Sequence, residues 1–303
     1  MSDISTNIGP LALKNPVMTA SGTFGFGLDF MRYGDVSTLG AVVTKSVTLK
    51  PRAGNPSPRI YETPSGMLNS IGLENPGVDY FRKKTLPMLR DTGVTIIVNI
   101  AGENVDEYKK LGGMFSDKDG VLALEVNAGC PNVDLGGMQF GRDCGVIAQL
   151  IEAVKGATSL PLIAKLTPNV ADIAPIAKAA CEAGAVAVSL INTLLGMSVD
   201  VRKRVSYIKR GVAGLSGPAV RPVAVRMAWE AAKTGVPVIG AGGICDVESA
   251  MQFLLVGAKA VQVGTSNFTD PTFVFRLPAL LSDFLDEMHV PKLSSYIGSL
   301  KTS

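Results

Sequence analysis

The sequence predicts a (β/α)8 TIM barrel, a single domain over residues 1–303 with inserted active-site loops. Three observations predict it. Short apolar, β-branched runs recur eight times along the chain, and most are followed by a helical pattern. Such alternation builds a parallel sheet with right-handed crossovers, and eight units in a chain of this length suit a closed barrel. The hydrophobic content of 47% matches parallel strands that are apolar on both faces. An open, doubly wound sheet is the alternative. It ordinarily carries a GxGxxG turn after an early strand, and the sequence has none.

The strand segments are 17–20, 41–45, 96–100, 123–127, 162–166, 186–191, 236–241 and 260–264. Helical patterns cover 77–92, 104–115, 140–156, 170–183, 219–234, 246–256 and 271–288. Segments 46–94 and 192–235 are too long for simple connections, and long insertions in a compact domain usually form lids or binding loops. The first contains PRAGNPSPRIYETPSGMLNSIGLENPG, where aromatic and aliphatic residues among the Pro and Gly indicate an ordered loop, not a linker.

Charge excludes several function classes. The 29 basic and 26 acidic residues leave +3, and no basic run appears, so neither nucleic acid nor an acidic membrane surface is expected as partner. The start, MSDISTNIGPLALKNP, lacks a basic region followed by an apolar one, and no run of about 18 apolar residues occurs. A cytoplasmic protein with reduced thiols is expected. None of the four cysteines forms a CxxC pair, which disfavours an iron–sulfur or zinc site in this chain. The one histidine, His289, falls on an expected amphipathic surface helix, which disfavours Ser-His-Asp catalysis and His-bound metals.

Polar residues gather at the C-terminal ends of the predicted strands, where barrel active sites lie. In strand order these ends are Ala20-Ser21-Gly22, Thr44-Lys45-Ser46, Asn99, Asn127, Lys165, Asn192-Thr193, Gly242-Gly243 and Gly264-Thr265. A lysine in an apolar strand needs a partner or a ligand, so Lys45 and Lys165 indicate a site, with a structural salt bridge as the alternative. The last two strands close in IGAGGI and VGTS, glycine turns of the kind that bring backbone N–H groups to a phosphate. FMN suits the phosphate loops, the amide-rich floor and the nearby cation. A sugar phosphate suits the loops but explains the asparagines less well. Cys130, in NAGCPN, sits on a sharp turn beyond the fourth strand. A modestly activated thiol there is a base or a nucleophile, and the residue type alone does not decide. Cys144, Cys181 and Cys245 read as buried, inert thiols.

At these residues the chain resembles the dihydroorotate dehydrogenases of soluble class 1, and the class 1B catalytic subunit most closely. The motifs are ASGTFGFG at 20–27, TKS at 44–46, NSIGLENPG at 69–77, NAGCPN at 127–132, INTLLGM at 191–197, GLSGPAVRP at 214–222, GAGGI at 240–244 and GTSNF at 264–268. The resemblance implies oxidation of (S)-dihydroorotate to orotate in pyrimidine biosynthesis, with FMN as hydride acceptor and Cys130 as the base. It implies FMN contacts at Ala20, Ser21, Lys45, Ser46, Asn99, Asn127, Lys165, Ile191, Gly217, Gly243, Ile244, Thr265 and Ser266. Lys165 would then stabilise negative charge on the reduced flavin. It implies substrate contacts at Lys45, Asn69, Ser70, Ile71, Gly72, Leu73, Asn127, Asn192 and Thr193. Class 2 enzymes use Ser in place of Cys130 and carry a membrane-binding extension. Residues 131–142, with Gly136, Gly137 and Gly141, suggest a lid over the site.

Class 1B implies a homodimer within a heterotetramer, whose second subunit carries FAD and a [2Fe–2S] cluster and passes electrons to NAD+. A class 1A enzyme would use fumarate alone. The chain departs from the family at Ala128-Gly129, where a larger aliphatic residue and then Ser usually precede the Cys. Three other readings are a related FMN barrel acting on another dihydropyrimidine, an aldolase-like barrel with Lys165 as Schiff base, and a non-catalytic scaffold.

Overall fold

The structure is a computed structural model of the chain and describes residues 1–129 and 140–301. Cys130 and residues 131–139 of the lid expected over 131–142 therefore lie outside the described residues.

Eight parallel strands follow the predicted segments: β1 (Val17–Thr19), β2 (Val42–Val43), β3 (Ile96–Ile100), β4 (Val121–Asn127), β5 (Leu162–Lys165), β6 (Ala187–Leu190), β7 (Val238–Ala241) and β8 (Ala260–Val263). Each pairs with its sequence neighbour, and β8 pairs with β1. A parallel bridge between Met18 and Ala41, with Thr19 N–H donating to Ala41 O at 3.3 Å, brings β1 onto β2 and closes the barrel.

The crossovers are α1 (Val105–Gly112), α2 (Cys144–Lys155), α3 (Ala174–Glu182), α4 (Arg221–Ala232), α5 (Val247–Leu255) and α6 (Phe273–Glu287). Three abutting helical pieces, Val78–Tyr80, Phe81–Thr85 and Leu86–Arg90, join β2 to β3. The link from β1 to β2 has only two 3-10 turns, Leu28–Phe30 and Val36–Thr38. Helix α2 shows why these segments pack: Ile147, Leu150, Ile151 and Val154 recur on one buried face, and the Asp143 side chain caps the N-terminus by accepting from Gly145 and Val146 N–H. No helix among the described residues is long and apolar enough to cross a membrane.

Strand alternation divides the barrel interior into two layers. The lower layer is apolar, with Met18, Val43, Ile97, Ala123, Ile163, Ala187, Ile239 and Ala260. An N-terminal hairpin, Thr6–Ile8 with Leu11–Leu13, closes the barrel beneath it by inserting Ile8, Leu11 and Leu13 into this cluster. Two residues further along most strands, on the same inward face, stand Ala20, Lys45, Asn99, Glu125, Lys165, Ser189, Ala241 and Gln262. The upper layer is thus largely polar.

The two long insertions meet in one antiparallel sheet at the C-terminal end of the barrel. Its order is Leu194–Gly196, Ala213–Ser216, Gly66–Asn69 and Ile60–Thr63.

Two sequence-based expectations need correction. His289 lies beyond the end of α6, exposed and with φ 55°, not on a helix. Cys144 and Cys245 are exposed instead of buried. Only Cys181 of the three is partly buried, and burial pushes its thiol up to about 11.

Candidate active site

Glu125 and Lys165 are the only charged side chains buried among the described residues, and both belong to the upper layer. The Glu125 carboxylate accepts from Asn99 Nδ2 at 2.7 Å, Ser189 Oγ at 2.9 Å and Gln262 Nε2 at 2.7 Å. Lys165 Nζ lies 3.7 Å from Glu125 Oε1 and donates to Ser21 Oγ at 3.1 Å and Gln262 Oε1 at 3.4 Å. Lys165 therefore has the structural partner that a buried ammonium requires, and it also faces the cavity above.

A second chain of bonds runs upward from this floor. Ser46 Oγ donates to Asn99 Oδ1 at 2.5 Å, and Asn127 Nδ2 donates to Ser46 Oγ at 3.2 Å. Asn192 Nδ2 donates to Asn127 Oδ1 at 3.2 Å, while Thr193 N–H donates to Asn192 Oδ1 at 2.8 Å. These bonds fix which way each amide points, so each presents a defined donor or acceptor edge. Thr193 Oγ1 is buried, lines the cavity and has no hydrogen-bond partner among the described residues.

The cavity has a volume of about 360 Å³ and lies between this floor and the antiparallel cap. On the cap side it is bounded by Asn69, Ile71 and Leu73, and by the Arg59–Glu74 ion pair. Lys45 is half-buried at its wall. Burial pushes the Lys45 ammonium below the usual lysine range, with Glu74 opposing and Arg59 adding to the shift.

At the opposite side, three loops converge. Gly217 has φ 97° and Gly243 φ 76°, conformations that favour glycine. A Cβ on Gly243 would lie 2.7 Å from Arg221 Cβ and 2.9 Å from Gly217 O, and one on Gly217 would lie 2.6 Å from Gly66 Cα. Thr265 Oγ1 donates to Ser216 Oγ at 2.8 Å across the same corner. The loops thus pack backbone against backbone with no room for side chains, and where they line the cavity they form a glycine cradle of the kind that suits a phosphate held by N–H groups. A buried cation, oriented amides, an orphaned hydroxyl and this cradle together fit a flavin mononucleotide.

Most of the predicted residues meet at this one cavity. Ala20, Ser21, Lys45, Ser46, Asn127, Lys165, Ile191, Gly217, Gly243 and Thr265 line it. So do Asn69, Ile71, Gly72, Leu73, Asn192 and Thr193. Four others do not. Asn99 is fully buried within the floor. Ser70 is buried and accepts from Asn55 Nδ2 at 2.9 Å. Ser266 Oγ donates to Ile244 O at 2.5 Å, and both residues are buried.

Sequence reasoning missed Glu125 and Gln262. The signal was present, since each interrupts an apolar strand, VLALEVN and AVQV, as Lys165 does. The glycine at 129 also has a physical reason. A Cβ there would lie 2.8 Å from Thr167 N and 2.9 Å from the Leu166 carbonyl carbon, so the chain leaving β4 runs against the end of β5 with no room for a side chain.

A family model described as dihydroorotate dehydrogenase matches residues 3–285. The protein named dihydroorotate dehydrogenase B (NAD(+)), catalytic subunit, of Maridesulfovibrio salexigens is 50% identical over 301 residues, 99% of either chain. The protein of the same name from Bacteroides thetaiotaomicron is 45% identical over 302 residues, 99% of this chain and all of that one. Among solved structures, the Eimeria tenella dihydroorotate dehydrogenase in complex with ferulenol is similar with a TM-score of 0.82. It covers 98% of this chain and 88% of that one at 22% identity, a likeness of fold alone. The match to the family model over residues 3–285, with near full-length matches to these relatives, shows that this chain belongs to the dihydroorotate dehydrogenase family.

Proposed function

We propose that the chain oxidises (S)-dihydroorotate to orotate in pyrimidine biosynthesis, as the catalytic subunit of an NAD+-linked enzyme. The observation that carries this reading is the polar upper layer of the barrel: Lys165 and fixed Asn side chains face a capped cavity that ends in a glycine cradle. FMN, when bound, would supply the acceptor for the hydride lost from C6 of the substrate. The cradle of Gly217, Gly243 and Thr265 would hold its phosphate, and Lys165 would face the growing negative charge of its ring.

The chain's own residues perform the rest. Lys45 meets the substrate carboxylate at the cavity wall. Asn69, Asn127, Asn192 and Thr193 pair with the polar edge of the ring, because amides both donate and accept. Cys130 takes the C5 proton, which makes proton transfer depend on its thiolate. The cap sheet covers the cavity and limits water around the reacting atoms.

The relatives' names, which include the words catalytic subunit and NAD(+), support a partner that receives the electrons. That partner would carry FAD and a [2Fe–2S] cluster, in a cytoplasmic heterotetramer built on a homodimer of this chain. The test is an orotate titration of the FMN-loaded chain followed by absorbance. A saturable change in the flavin spectrum, and bleaching by dihydroorotate, are expected. An unchanged spectrum with both compounds would overturn the reading.

A further inference from the structure

Glu125 has no place in the scheme above, yet it is the most heavily bonded side chain of the floor. Every group around it presents a donor: Asn99 Nδ2, Ser189 Oγ, Gln262 Nε2 and, at 3.7 Å, Lys165 Nζ. The amides cannot turn over without loss. Asn99 Oδ1 is taken by Ser46, and Gln262 Oε1 by Lys165. Four donors facing one carboxylate leave no acceptor for a carboxyl proton, a setting that suits the acceptor-only form. Beneath the cavity the barrel therefore holds one positive and one negative charge, and their sum is zero.

We propose that Glu125 is a positioning and charge-setting residue. It anchors Lys165 as half of a neutral pair and thereby limits how strongly the site favours reduced over oxidised FMN. The inference rests on the flavin reading. Two-electron reduction with uptake of one proton adds one negative charge to the flavin ring. A lone Lys165 would favour that form strongly. With Glu125 fixed beneath it, the ring's new charge meets a cation whose field is partly cancelled, and in a low-dielectric interior such cancellation matters. The same carboxylate sets position, since it orients Gln262, which in turn accepts from Lys165.

The experiment compares the dissociation constants of oxidised and of reduced FMN, or equivalently the midpoint potential of the bound flavin against a reference dye. Glu125→Gln leaves Lys165 uncompensated. The preference for reduced over oxidised FMN should rise about tenfold, which is about 30 mV more positive for a two-electron couple. Gln262→Glu alone adds a second carboxylate near Lys165 and should move the ratio the other way. The swap, Glu125→Gln with Gln262→Glu, restores one carboxylate beside Lys165 and should return the ratio to that of the wild type.

An unchanged or lowered ratio in a folded, FMN-loaded Glu125→Gln variant overturns the proposal. So does a swap that stays as displaced as Glu125→Gln, because the effect would then be structural and not one of charge. If Glu125→Gln does not fold, Gln262→Glu and the swap carry the test with the same expected signs. A wild-type chain that binds no FMN would instead overturn the flavin reading, a separate result.

Discussion

Lys45 offers a titration that can be followed. Burial pushes its ammonium below the usual lysine range, so it loses its proton at a lower pH than an exposed lysine. Only the charged form attracts the substrate carboxylate, and that form exists below the pKa. Orotate affinity should therefore hold near neutral pH and fall as pH rises into the alkaline range. Lys45→Arg should flatten that limb, because guanidinium stays protonated there. Titrations of the flavin spectrum across the range check both statements. Cys130 offers a second. A serine hydroxyl is a far weaker base, so Cys130→Ser should slow flavin reduction by dihydroorotate about 10²–10⁴-fold at neutral pH while orotate still binds. Stopped-flow reduction at the wild-type rate would remove Cys130 from its role. At this scale the sequence was legible where one residue type was out of place. Lys165 in an apolar strand announced the site, and Glu125 and Gln262 announced it equally by the same logic. What the strand pattern does not encode is which polar residues pair. Glu125 meets Gln262 across 137 positions of sequence, and only closure of the barrel makes them neighbours.

The barrel strands were the most legible elements. Strand β3 spans Ile96–Ile100, all five residues buried, as the apolar run implies. Strand β2 is only Val42–Val43, because regular pairing with β3 ends short of Lys45. The elements that escaped are the ones with little apolar periodicity. Gly66–Asn69 and Ala213–Ser216 pair across nearly 150 positions, with Gly214 opposite Asn69, and neither has the β-branched run that marks a strand. The N-terminal hairpin escaped because each arm is three residues long. Its alternating burial around Gly9-Pro10 is nevertheless regular, and it bears a specific load. Ile8 is fully buried against the lower interior layer. Ile8→Ala should destabilise the chain by about 2–5 kcal/mol, from lost burial plus the cavity left behind. Denaturant unfolding measures this. Orotate affinity should be unchanged at temperatures where the variant is folded, since the apolar layer separates the hairpin from the upper, polar one. A variant as stable as the wild type would mean that the hairpin only rests on the barrel.

Across the whole molecule, one end of the barrel is sealed for stability and the other is polar and capped for chemistry. The division follows from strand alternation: the same inward face carries Ile163 and then Lys165, Ala123 and then Glu125, Ala260 and then Gln262. Electrons delivered to a flavin held there must leave through the capped end or through the wall. Among the described residues no group of three or more His, Cys, Asp or Glu side chains is placed to hold a metal ion. The three described cysteines sit apart, with Cys144 at the start of α2, Cys181 within α3 and Cys245 beside Asp246 ahead of α5. In the proposed scheme the second subunit supplies the relay to NAD+, and turnover can be divided accordingly. With dihydroorotate and an artificial dye, the FMN-loaded chain alone should turn over, because proton removal and hydride transfer use only its own cavity. With NAD+ as acceptor it should turn over only after the proposed partner subunit is added. Fumarate separates the remaining alternative, since an enzyme of the fumarate-using type would turn over with it unaided. Rapid NAD+ reduction by the chain alone would place the whole electron path within this barrel, and the proposed subunit would then have no part in it.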